Sequence, residues 1–401
     1  MSDVRRGVAT DPDVSVVLPC LNEEETLAHC VGQAQRAFAA LGVRGQVVVA
    51  DNGSTDRSAE IARRLGAKVV REPVRGYGAA LMAGFEAADA EFIVMGDADG
   101  SYDFGSIGPF LDKLRSGYDL VLGNRFAGGI RKGAMSVLHR YFGNPVLSFL
   151  GRSISRAPVG DFHCGLRALS KTAYRSMGLR TRGMEFATEM VVAAAKQGLR
   201  ITEVPTVLHP DRRSRPPHLR SFRDGWRHLR FIVTCAPDHV YAVPGVVLFL
   251  AGMVLQTALV AGPIDVGGMT LGIHFVALGG LLALVGVNIL MLGVLAKLAI
   301  AQMYPNLSSR TARWVLTRFR LEWGLAAGTV LILLGAAVDV VIFVRWVGSG
   351  RGPLDDTVHA AFVATTAMVI GISLIFFAFL LNLFRLADRE REAAPAREPR
   401  T

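Results

Sequence analysis

Four long apolar stretches in the second part of the chain constrain its fold more than any other feature. Up to about residue 235 the apolar runs are short and are interrupted by charged residues. Each later stretch is long enough to cross the hydrocarbon core of a bilayer, which takes about 20 helical residues. The predicted spans are 241–261, 271–296, 324–344 and 360–384. The sequence therefore predicts a soluble domain followed by an all-α transmembrane domain of four helices.

Positively charged residues are distributed unevenly around these spans. The connection 297–322 carries five lysine and arginine residues, whereas the connections 262–270 and 345–359 carry two between them. Because lysine and arginine are concentrated on the cytoplasmic side of membrane proteins, we expect a multi-pass protein of the cell membrane. Its soluble domain and both termini are expected to be cytoplasmic. The polar N-terminus, with the first span starting near Tyr241, predicts no signal peptide.

The net charge of +10 predicts anionic partners. Phosphorylated substrates and the anionic surface of a lipid bilayer both fit this charge. No DNA- or RNA-binding motif is recognised, so nucleic acid is not expected as a partner. The four cysteines lack the paired spacing of metal ligands, which fits a reducing cytosolic compartment. His163 and Cys164 are adjacent, but no second pair lies at ligand spacing, so zinc is not expected.

The first part of the chain alternates predicted strands with predicted helices. The strands are predicted at 14–19, 46–50, 67–71, 92–96, 119–123 and 201–207. Such alternation forms right-handed βαβ units, which predicts an α/β fold with a doubly wound, mostly parallel sheet. The predicted organisation is a flexible segment 1–13, an α/β domain 14–210, a basic segment 211–235, a membrane domain 236–386 and a disordered tail 387–401.

Two aspartates directly follow one of these strands. Phe92–Met95 is a continuous apolar run, typical of a buried strand in a parallel sheet. Asp97 and Asp99 emerge at its carboxyl end, where open α/β sheets bind their ligands. Two carboxylates this close repel each other unless a cation lies between them or water screens them. A hard divalent cation with a bound diphosphate would use one or two carboxylates, and an Asp-rich turn is the alternative.

Three strand ends carry a specific resemblance to a known family. In chain order they are VVLPCLNEEETL, VVVADNGSTD and VMGDADGSYDF. In this order and spacing they resemble the family 2 glycosyltransferases with the GT-A fold, and among them the polyprenyl-phosphate hexosyltransferases, over residues 12–235. The resemblance implies an inverting enzyme with a nucleotide sugar (UDP-glucose or GDP-mannose) as donor and polyprenyl phosphate as acceptor. It also implies Mg²⁺ or Mn²⁺ as cofactor.

The predicted nucleotide-sugar site combines this resemblance with the polar strand ends. The family pattern implies that Pro19 and Glu23 line the nucleotide and that Asp51 binds the base. It also implies that the aspartate pair holds the metal and the diphosphate. Gly76 precedes a predicted helix, where its backbone either approaches a phosphate or forms a tight turn. The predicted site comprises Pro19, Asn22, Glu23, Asp51, Gly76, Asp97, Ala98 and Asp99.

The segment DFHCGLR resembles the acceptor side of the family, where an Asp precedes Gly-x-Arg. Asp161 is a candidate base or positioning residue, and Arg167 is either an acceptor-phosphate ligand or an ordinary strand arginine. Arg125 ends a strand on the same edge of the sheet and either reaches an anion or solvates its loop. The family pattern favours Glu189 as facing the site, whereas Glu185 fits a solvated helix face. The predicted catalytic residues are Asp99, Asp161 and Arg167.

A basic amphipathic segment joins the two domains. Residues 211–232 contain seven arginines, with apolar residues at helical spacing between them: Leu219, Phe222, Trp226 and Leu229. This pattern is typical of a helix in the bilayer interface, where each arginine contributes about 1 kcal/mol to binding an anionic surface. The predicted acceptor-phosphate ligands are Arg125, Arg167, Arg212, Arg213 and Arg215. The segment departs from the family's Arg-x-x-Gly-x-Ser-Lys pattern, so which arginine contacts phosphate stays open.

The sequence thus predicts a membrane-bound inverting glycosyltransferase that moves a hexose from a nucleotide sugar to polyprenyl phosphate at the cytoplasmic face. A processive polysaccharide synthase of the same superfamily is one alternative, but its Gln-x-x-Arg-Trp motif is absent. A transport module whose domain only senses nucleotide sugar is another, and the aspartate pair argues against it. The oligomeric state stays open, with a homo-oligomer as one alternative.

Overall fold

A computed structural model of the protein describes residues 11–214, 221–348 and 357–393. These residues divide into two compact units, one on each side of the Cys235–Ala236 bond. Most of the N-terminal segment and of the C-terminal tail lies outside the described residues. The last helix continues to Ala393, because the charged residues that follow the final span are largely good helix formers.

Among the described residues of the first unit, seven strands form one sheet. They are β1 (Val14–Cys20), β2 (Gly45–Asp51), β3 (Lys68–Arg71), β4 (Phe92–Met95), β5 (Leu120–Asn124), β6 (Arg167–Ser170) and β7 (Ile201–Pro205). Their order is β3-β2-β1-β4-β6-β5-β7, and every neighbouring pair is parallel except the two that involve β6. The doubly wound, mostly parallel sheet is therefore confirmed, and each predicted strand lies within two residues of its predicted bounds.

Sequence reasoning did not predict β6. It has four residues, too few for periodicity to separate a strand from a loop. Its first residue, Arg167, pairs with Met95 of β4 and with Leu122 of β5. Because β6 is antiparallel to both neighbours, Arg167 lies at their carboxyl ends. The loop that precedes β6 therefore reaches the edge of the sheet that carries the aspartate pair.

Helices cover both faces of the sheet. They are α1 (Leu27–Leu41), α2 (Ser58–Arg64), α3 (Tyr77–Ala87), α4 (Gly108–Arg115), α5 (Arg125–Gly128), α6 (Asn144–Ser155), α7 (Lys171–Met177), α8 (Phe186–Lys196) and α9 (Ser221–Thr234). Val16 and Leu18 of β1 belong to the core that includes α1. Val17 points the other way and meets α3 at Gly84, where a Cβ would lie 2.4 Å from Val17 Cγ1. The alternation along β1 thus packs helices on both sides.

Strand register aligns the ends that carry the polar motifs. Cys20 of β1 pairs with Asp51 of β2, and Val17 pairs with Met95 of β4. The turns that follow these strands therefore leave the sheet at one edge. This is the position at which open α/β sheets bind ligands.

The second unit is helical apart from a short hairpin among its described residues. Its elements are α10 (Val243–Leu259), β8 (Ile264–Val266), β9 (Met269–Leu271), α11 (Ile273–Met303), α12 (Arg310–Arg318), α13 (Leu321–Gly348) and α14 (Val358–Ala393). Four helical segments in the described part are long and apolar enough to cross a membrane, and each overlaps one of the predicted spans. α12 lies in the basic connection between the second and third spans.

Glycines set the distance between paired spans. A Cβ on Gly252 of α10 would lie 2.4 Å from the carbonyl oxygen of Gly279 in α11. In the same way, a Cβ on Gly328 of α13 would lie 2.5 Å from the carbonyl oxygen of Gly371 in α14. Small residues at such crossings let helix backbones approach closely in lipid, where apolar burial gives little driving force.

Candidate active site

The aspartate pair lies in the turn that follows β4. Tyr77, the first residue of α3, donates its hydroxyl to Asp97 Oδ1 at 3.0 Å. Asp99 Oδ1 accepts two hydrogen bonds from Ser101, from the backbone N–H at 2.9 Å and from the hydroxyl at 2.6 Å. Burial and the nearby charge of Asp99 raise the pKa of Asp97 to about 7. The two carboxylates therefore repel each other, and a cation between them would stabilise the ionised pair.

Arg213 supplies a positive charge to this pair. Its guanidinium donates to Asp99 Oδ2 at 2.8 Å, to Glu23 Oε1 at 3.1 Å and to Asp211 Oδ2 at 3.1 Å. The Arg213 side chain is only 10% exposed. The backbone N–H of Arg212 donates to the carbonyl of Asp99 at 3.0 Å. The basic segment therefore begins directly on the aspartate pair.

The turn after β2 begins at Asp51, the residue predicted to bind the base. Asp51 Oδ1 accepts the backbone N–H of Ser54 at 2.9 Å. Asn22 adopts a φ of 59°, a conformation that asparagine tolerates better than most residues, and its Oδ1 accepts the Thr55 N–H at 2.7 Å. Pro19 pairs with Ala50 in the β1–β2 register, one position before Asp51. The structure thus brings Pro19, Asn22 and Asp51 together on one side of the edge.

The turn after β1 connects that side to the aspartate pair. Glu23 is 6% exposed, and its backbone N–H donates to Ser58 Oγ at 2.8 Å. The Thr26 hydroxyl donates to the carbonyl of Ala98, between the two aspartates, at 2.6 Å. Arg213 therefore links Glu23 to Asp99, and Thr26 links the turn after β1 to Ala98.

The oxygen atoms of this turn fit a hard divalent cation. Carboxylates are the protein ligands that Mg²⁺ and Mn²⁺ prefer, and the guanidinium of Arg213 already stands as a cation beside Asp99. Gly165 leaves room next to Asp97, since a Cβ there would lie 2.4 Å from Asp97 Oδ2. No group of three His, Cys, Asp or Glu side chains among the described residues is arranged to hold a metal. A metal here would therefore take its other ligands from water and from a substrate diphosphate.

Packing explains the glycine that precedes α3. A Cβ on Gly76 would lie 2.0 Å from the carbonyl oxygen of Arg182, and its φ is 147°. The Gly76 N–H donates to Asn52 Oδ1 at 2.7 Å, so the contact of Gly76 with a phosphate stays a prediction. The close approach seats the start of α3 so that Tyr77 reaches Asp97.

Glu189 of α8 holds the loop against which α3 packs. The side chain is fully buried, and Glu189 Oε2 accepts the Thr181 N–H at 2.8 Å and the Thr181 hydroxyl at 2.6 Å. Both carboxylate oxygens also accept the Arg180 N–H at 3.1 Å. A Cβ on Gly78 would meet the carbonyl of Thr181 at 2.3 Å. Glu189 thus positions the loop at Arg180 and Thr181, and the start of α3 packs against that loop.

Asp161 and Arg125 form a buried ion pair. Arg125 donates Nε to Asp161 Oδ2 at 2.6 Å and Nη2 to Oδ1 at 2.8 Å, and its backbone N–H also reaches Oδ2 at 3.1 Å. The His163 N–H donates to Asp161 Oδ1 at 3.2 Å. The side chains are 9% and 0% exposed. Asp161 therefore positions Arg125 and its own loop, while its role as a base and the phosphate role of Arg125 stay predictions.

Arg167 is buried at the start of β6. Its guanidinium donates to three backbone carbonyls: those of Cys164 at 2.9 Å, Ala187 at 2.6 Å and Phe162 at 2.8 Å. Burial lowers the pKa of Arg167 below its usual value. These bonds tie the loop before β6 to α8, which favours the interpretation as a strand arginine with a structural task. Its catalytic and phosphate-binding roles stay predictions.

His163 and Cys164 pack inside the same loop. Burial lowers the pKa of His163 well below its usual range and raises the pKa of Cys164 to about 12, so both are neutral at pH 7. The His163 ring packs edge-on against His228 of α9 with centroids 4.7 Å apart. Neither ring nitrogen of His163 has a hydrogen-bond partner among the described residues. This packing resembles a core contact and not a zinc site.

An exposed apolar surface before and along α6 was missed by sequence reasoning. Its aromatic members are Tyr141, Phe142 and Phe149, which are 70%, 64% and 60% exposed. Exposed basic side chains flank them on the same stretch, at Arg152 and Arg156 among others. The signal in the sequence is the run LHRYFGNPVLSFLGR, whose apolar residues outnumber what one buried helix face needs. Such a surface is typical of contact with a lipid interface.

α9 forms part of the predicted amphipathic segment. It packs against α6 and α8. Its inner face is buried at His228, Phe231 and Ile232, whereas Trp226 is 63% exposed. Arg223 and Arg230 are also exposed. The predicted phosphate ligand Arg215, with Leu219 and Arg220, lies outside the described residues.

Comparisons with known proteins cover both units. Residues 15–178 match the family described as Glycosyl transferase family 2. Residues 294–385 match the Glycosyltransferase family 2 C-terminal transmembrane region. The chain is 39% identical over 372 residues to the low-salt glycan biosynthesis hexosyltransferase Agl6 of Haloferax volcanii, which covers 92% of this chain and 89% of that protein.

Two further likenesses cover about half of the chain. A dolichyl-phosphate hexose transferase of Haloferax volcanii is 34% identical over 198 residues, 49% of this chain and 82% of that protein. The crystal structure of glucosyl-3-phosphoglycerate synthase from Mycobacterium tuberculosis, in complex with Mn²⁺, UDP and phosphoglyceric acid, is similar to this chain with 25% sequence identity and a TM-score of 0.42. That match covers 56% of this chain and 76% of the other, and at that score it says nothing about what this chain binds.

Proposed function

The chain belongs to glycosyl transferase family 2, and on this premise we propose that it transfers a hexose from a nucleotide sugar to polyprenyl phosphate. The observation that carries the proposal is the aspartate pair at the carboxyl edge of the sheet with a basic segment docked on it. This arrangement suits a reaction that brings two anions together, a donor diphosphate and a lipid phosphate. The names of the two Haloferax relatives, a glycan hexosyltransferase and a dolichyl-phosphate hexose transferase, support the hexose and the lipid phosphate.

On the donor side the proposed roles follow the strand ends. Asp51 accepts an N–H of the base, Pro19 and Glu23 line the nucleotide, and Asn22 holds the turn that shapes this side of the site. Asp97 and Asp99 face the diphosphate, with Tyr77 fixing the carboxylate of Asp97. A bound Mg²⁺ or Mn²⁺ supplies Lewis-acid charge that stabilises the leaving diphosphate.

On the acceptor side the proposed nucleophile needs no strong base. A phosphate monoester has its second pKa near 6, so it is largely dianionic at pH 7. The contacts of Asp161 support a mechanism without a protein base, because both of its carboxylate oxygens already accept hydrogen bonds from Arg125. We assign the phosphate to arginines of the basic segment, where Arg212 is exposed and lies 3.4 Å from His29.

The proposed reaction is a single in-line displacement. A phosphate oxygen of the acceptor forms a bond to C1 of the hexose while the bond from C1 to the nucleoside diphosphate breaks. The electron pair of that bond leaves with the diphosphate. An α-linked donor therefore gives a β-linked product.

The membrane part of the proposal rests on two surfaces. The four apolar helices anchor the chain, and the exposed aromatic and basic side chains of α6 and α9 suit the interface of an anionic bilayer. The distribution of lysine and arginine around the spans supports the cytoplasmic face as the side of this interface. The polyprenyl phosphate would then present its headgroup to the site without leaving the membrane.

The proposal is tested with the purified full chain in detergent or nanodiscs. The protein is incubated with polyprenyl phosphate, Mn²⁺ and either UDP-glucose or GDP-mannose, and the lipid extract is analysed by mass spectrometry. We expect one hexose added per lipid phosphate with one of the donors, and no product in EDTA. Products with many sugars would support a processive synthase. Binding of nucleotide sugar without turnover would support a sensing module.

A further inference from the structure

We propose that Arg213 is an internal counter-ion of the donor site that a metal–nucleotide complex displaces from Asp99. In the free protein Arg213 stands as a cation beside the aspartate pair; in the loaded protein its guanidinium turns to the diphosphate. Arg213 is thereby assigned to the donor and not to the acceptor. This inference rests on the proposed nucleotide-sugar site but not on the lipid acceptor.

The charges around Arg213 do not balance without a further cation. One guanidinium serves three carboxylates, those of Glu23, Asp99 and Asp211, at distances of 2.8 to 3.1 Å. Three negative charges and one positive charge leave an excess of two, before Asp97 is considered. A divalent cation would cancel that excess. It would also compete with Arg213 for Asp99 Oδ2, the oxygen that the guanidinium contacts.

The guanidinium retains a free donor for such an exchange. Arg213 Nε is buried and has no hydrogen-bond partner among the described residues. The two Nη atoms are bound to carboxylates that line the turns after β1 and β4. A planar guanidinium that offers several N–H groups matches a phosphate group well, so a diphosphate bound at this edge would meet a donor already in place.

The backbone of the segment is anchored, so only the side chain has to move. The Arg212 N–H donates to the Asp99 carbonyl at 3.0 Å, and the His209 N–H donates to the Ser101 carbonyl at 2.9 Å. Ser214 is held in turn by Glu25, through its N–H at 2.8 Å. These bonds fix Arg213 beside the site in either state. They also connect donor binding to the start of the basic segment.

The exchange predicts opposite effects of one substitution on two ligands. In Arg213→Ala the metal no longer competes with a guanidinium, so Mn²⁺ alone should bind about tenfold more tightly than in the wild type. UDP or GDP in the presence of saturating Mn²⁺ should bind about tenfold more weakly, because the diphosphate loses a charged donor. Arg213→Lys should lie between wild type and Arg213→Ala in both measurements, since an ammonium keeps the positive charge but lacks the planar fork of a guanidinium.

Mn²⁺ binding is measured by electron paramagnetic resonance and nucleotide binding by calorimetry, on the full chain in detergent. Arg44→Ala is the matched control, because Arg44 also pairs with a carboxylate, that of Asp13, but away from this edge. Thermal unfolding checks that each variant is folded. If Mn²⁺ alone binds Arg213→Ala no more tightly, or if neither UDP nor GDP loses affinity, the inference is overturned. Absence of transfer to lipid with both binding effects present would remove the proposed acceptor and leave this inference intact.

Discussion

At the scale of single residues, hydrogen-bond partners decide which predicted site residues remain available to substrate. Asp161 and Arg125 hold each other in a bidentate pair with almost no exposure. Asp99 shares the single guanidinium of Arg213 with two other carboxylates, whereas the hydrogen-bond partner of Asp97 is the neutral hydroxyl of Tyr77. Burial and the nearby charge of Asp99 raise the pKa of Asp97 to about 7. The aspartates at the end of β4 therefore lie in a cluster with excess negative charge, which a bound cation would balance.

The Asp161–Arg125 pair predicts a structural cost for Asp161→Asn. Removing one partner of a buried ion pair leaves an uncompensated charge and costs roughly 3–5 kcal/mol. We expect a lower unfolding temperature and a lower kcat, with a pH–rate profile that keeps the shape of the wild type. Asp119→Asn serves as the control, because the Asp119 carboxylate accepts the Arg200 N–H in an exposed part of the molecule. Loss of one limb of the profile in Asp161→Asn alone would identify Asp161 as a true base.

The hydrogen bond from Tyr77 predicts a pH effect on metal binding. Asp97 must lose its proton to bind a cation, so with a pKa of about 7 Mn²⁺ affinity should fall as the pH drops below 7. The Tyr77 hydroxyl stabilises the charged form of Asp97, so Tyr77→Phe should raise that pKa and move the midpoint to higher pH. Mn²⁺ titrations between pH 5.5 and 8.5 measure the midpoint, with Tyr118→Phe as control. An unchanged midpoint in Tyr77→Phe would contradict this role.

At the scale of elements, the sequence predicted what is local and missed what is paired over distance. β4 and its aspartates are contiguous, and the six predicted strands alternate with helices, so periodicity and turn chemistry sufficed. β6 is a four-residue antiparallel insertion that only its neighbours stabilise. The ion pair between Arg125 and Asp161 joins residues 36 apart, and that between Arg213 and Asp99 joins residues 114 apart. No local pattern encodes such contacts.

The exposed face of α6 shows a second limit: the sequence did not reveal which apolar residues are left uncovered. Its apolar residues were visible in the sequence, but whether Phe149 is core or surface depends on which neighbours cover it. In the structure Phe149 is 60% exposed, while Gly151 on the inner side packs against Phe162. We therefore infer from α6 a second interfacial surface, beside the one predicted from the arginines of 211–235.

This surface predicts contact of α6 with the bilayer. The four native cysteines are buried, so a thiol-reactive fluorophore can be attached selectively at Phe149→Cys. In nanodiscs of anionic lipid we expect quenching by nitroxides placed near the headgroups. Leu41→Cys, at a position 41% exposed at the end of α1, is the control and should not be quenched. Equal accessibility of both labels to an aqueous quencher would contradict the interfacial role of α6.

At the scale of the whole molecule, one chain combines a family 2 glycosyltransferase domain with four apolar helices. Both parts match family 2 glycosyltransferases, and the Agl6 relative has nearly the whole length in common with this chain. A lipid acceptor explains why a catalytic domain of this type would be joined to four apolar helices. The orientation of those helices is the part that the charge distribution predicts.

The orientation is tested with reporters on the full chain in cells. A reporter fused after Thr401 should be active only in the cytoplasm, and one inserted at Gly267, in the hairpin between the first two spans, should be active outside. Because four spans return the chain to the same side, a fusion at the N-terminus should behave like the one after Thr401. Opposite locations for the two termini would mean that one of the four helices does not cross the membrane.

The central claim is that the aspartate pair catalyses transfer of one hexose to a lipid phosphate with inversion. The most direct measurement is the structure of the lipid product made by the wild-type protein, by mass and by NMR of the anomeric position, alongside the rate of Asp99→Asn. We predict a polyprenyl hexosyl monophosphate with a β linkage from an α-linked donor. The rate of Asp99→Asn should fall by two orders of magnitude or more, about 3 kcal/mol in the barrier. An α-linked product, or an Asp99→Asn variant as active as the wild type, would contradict the account.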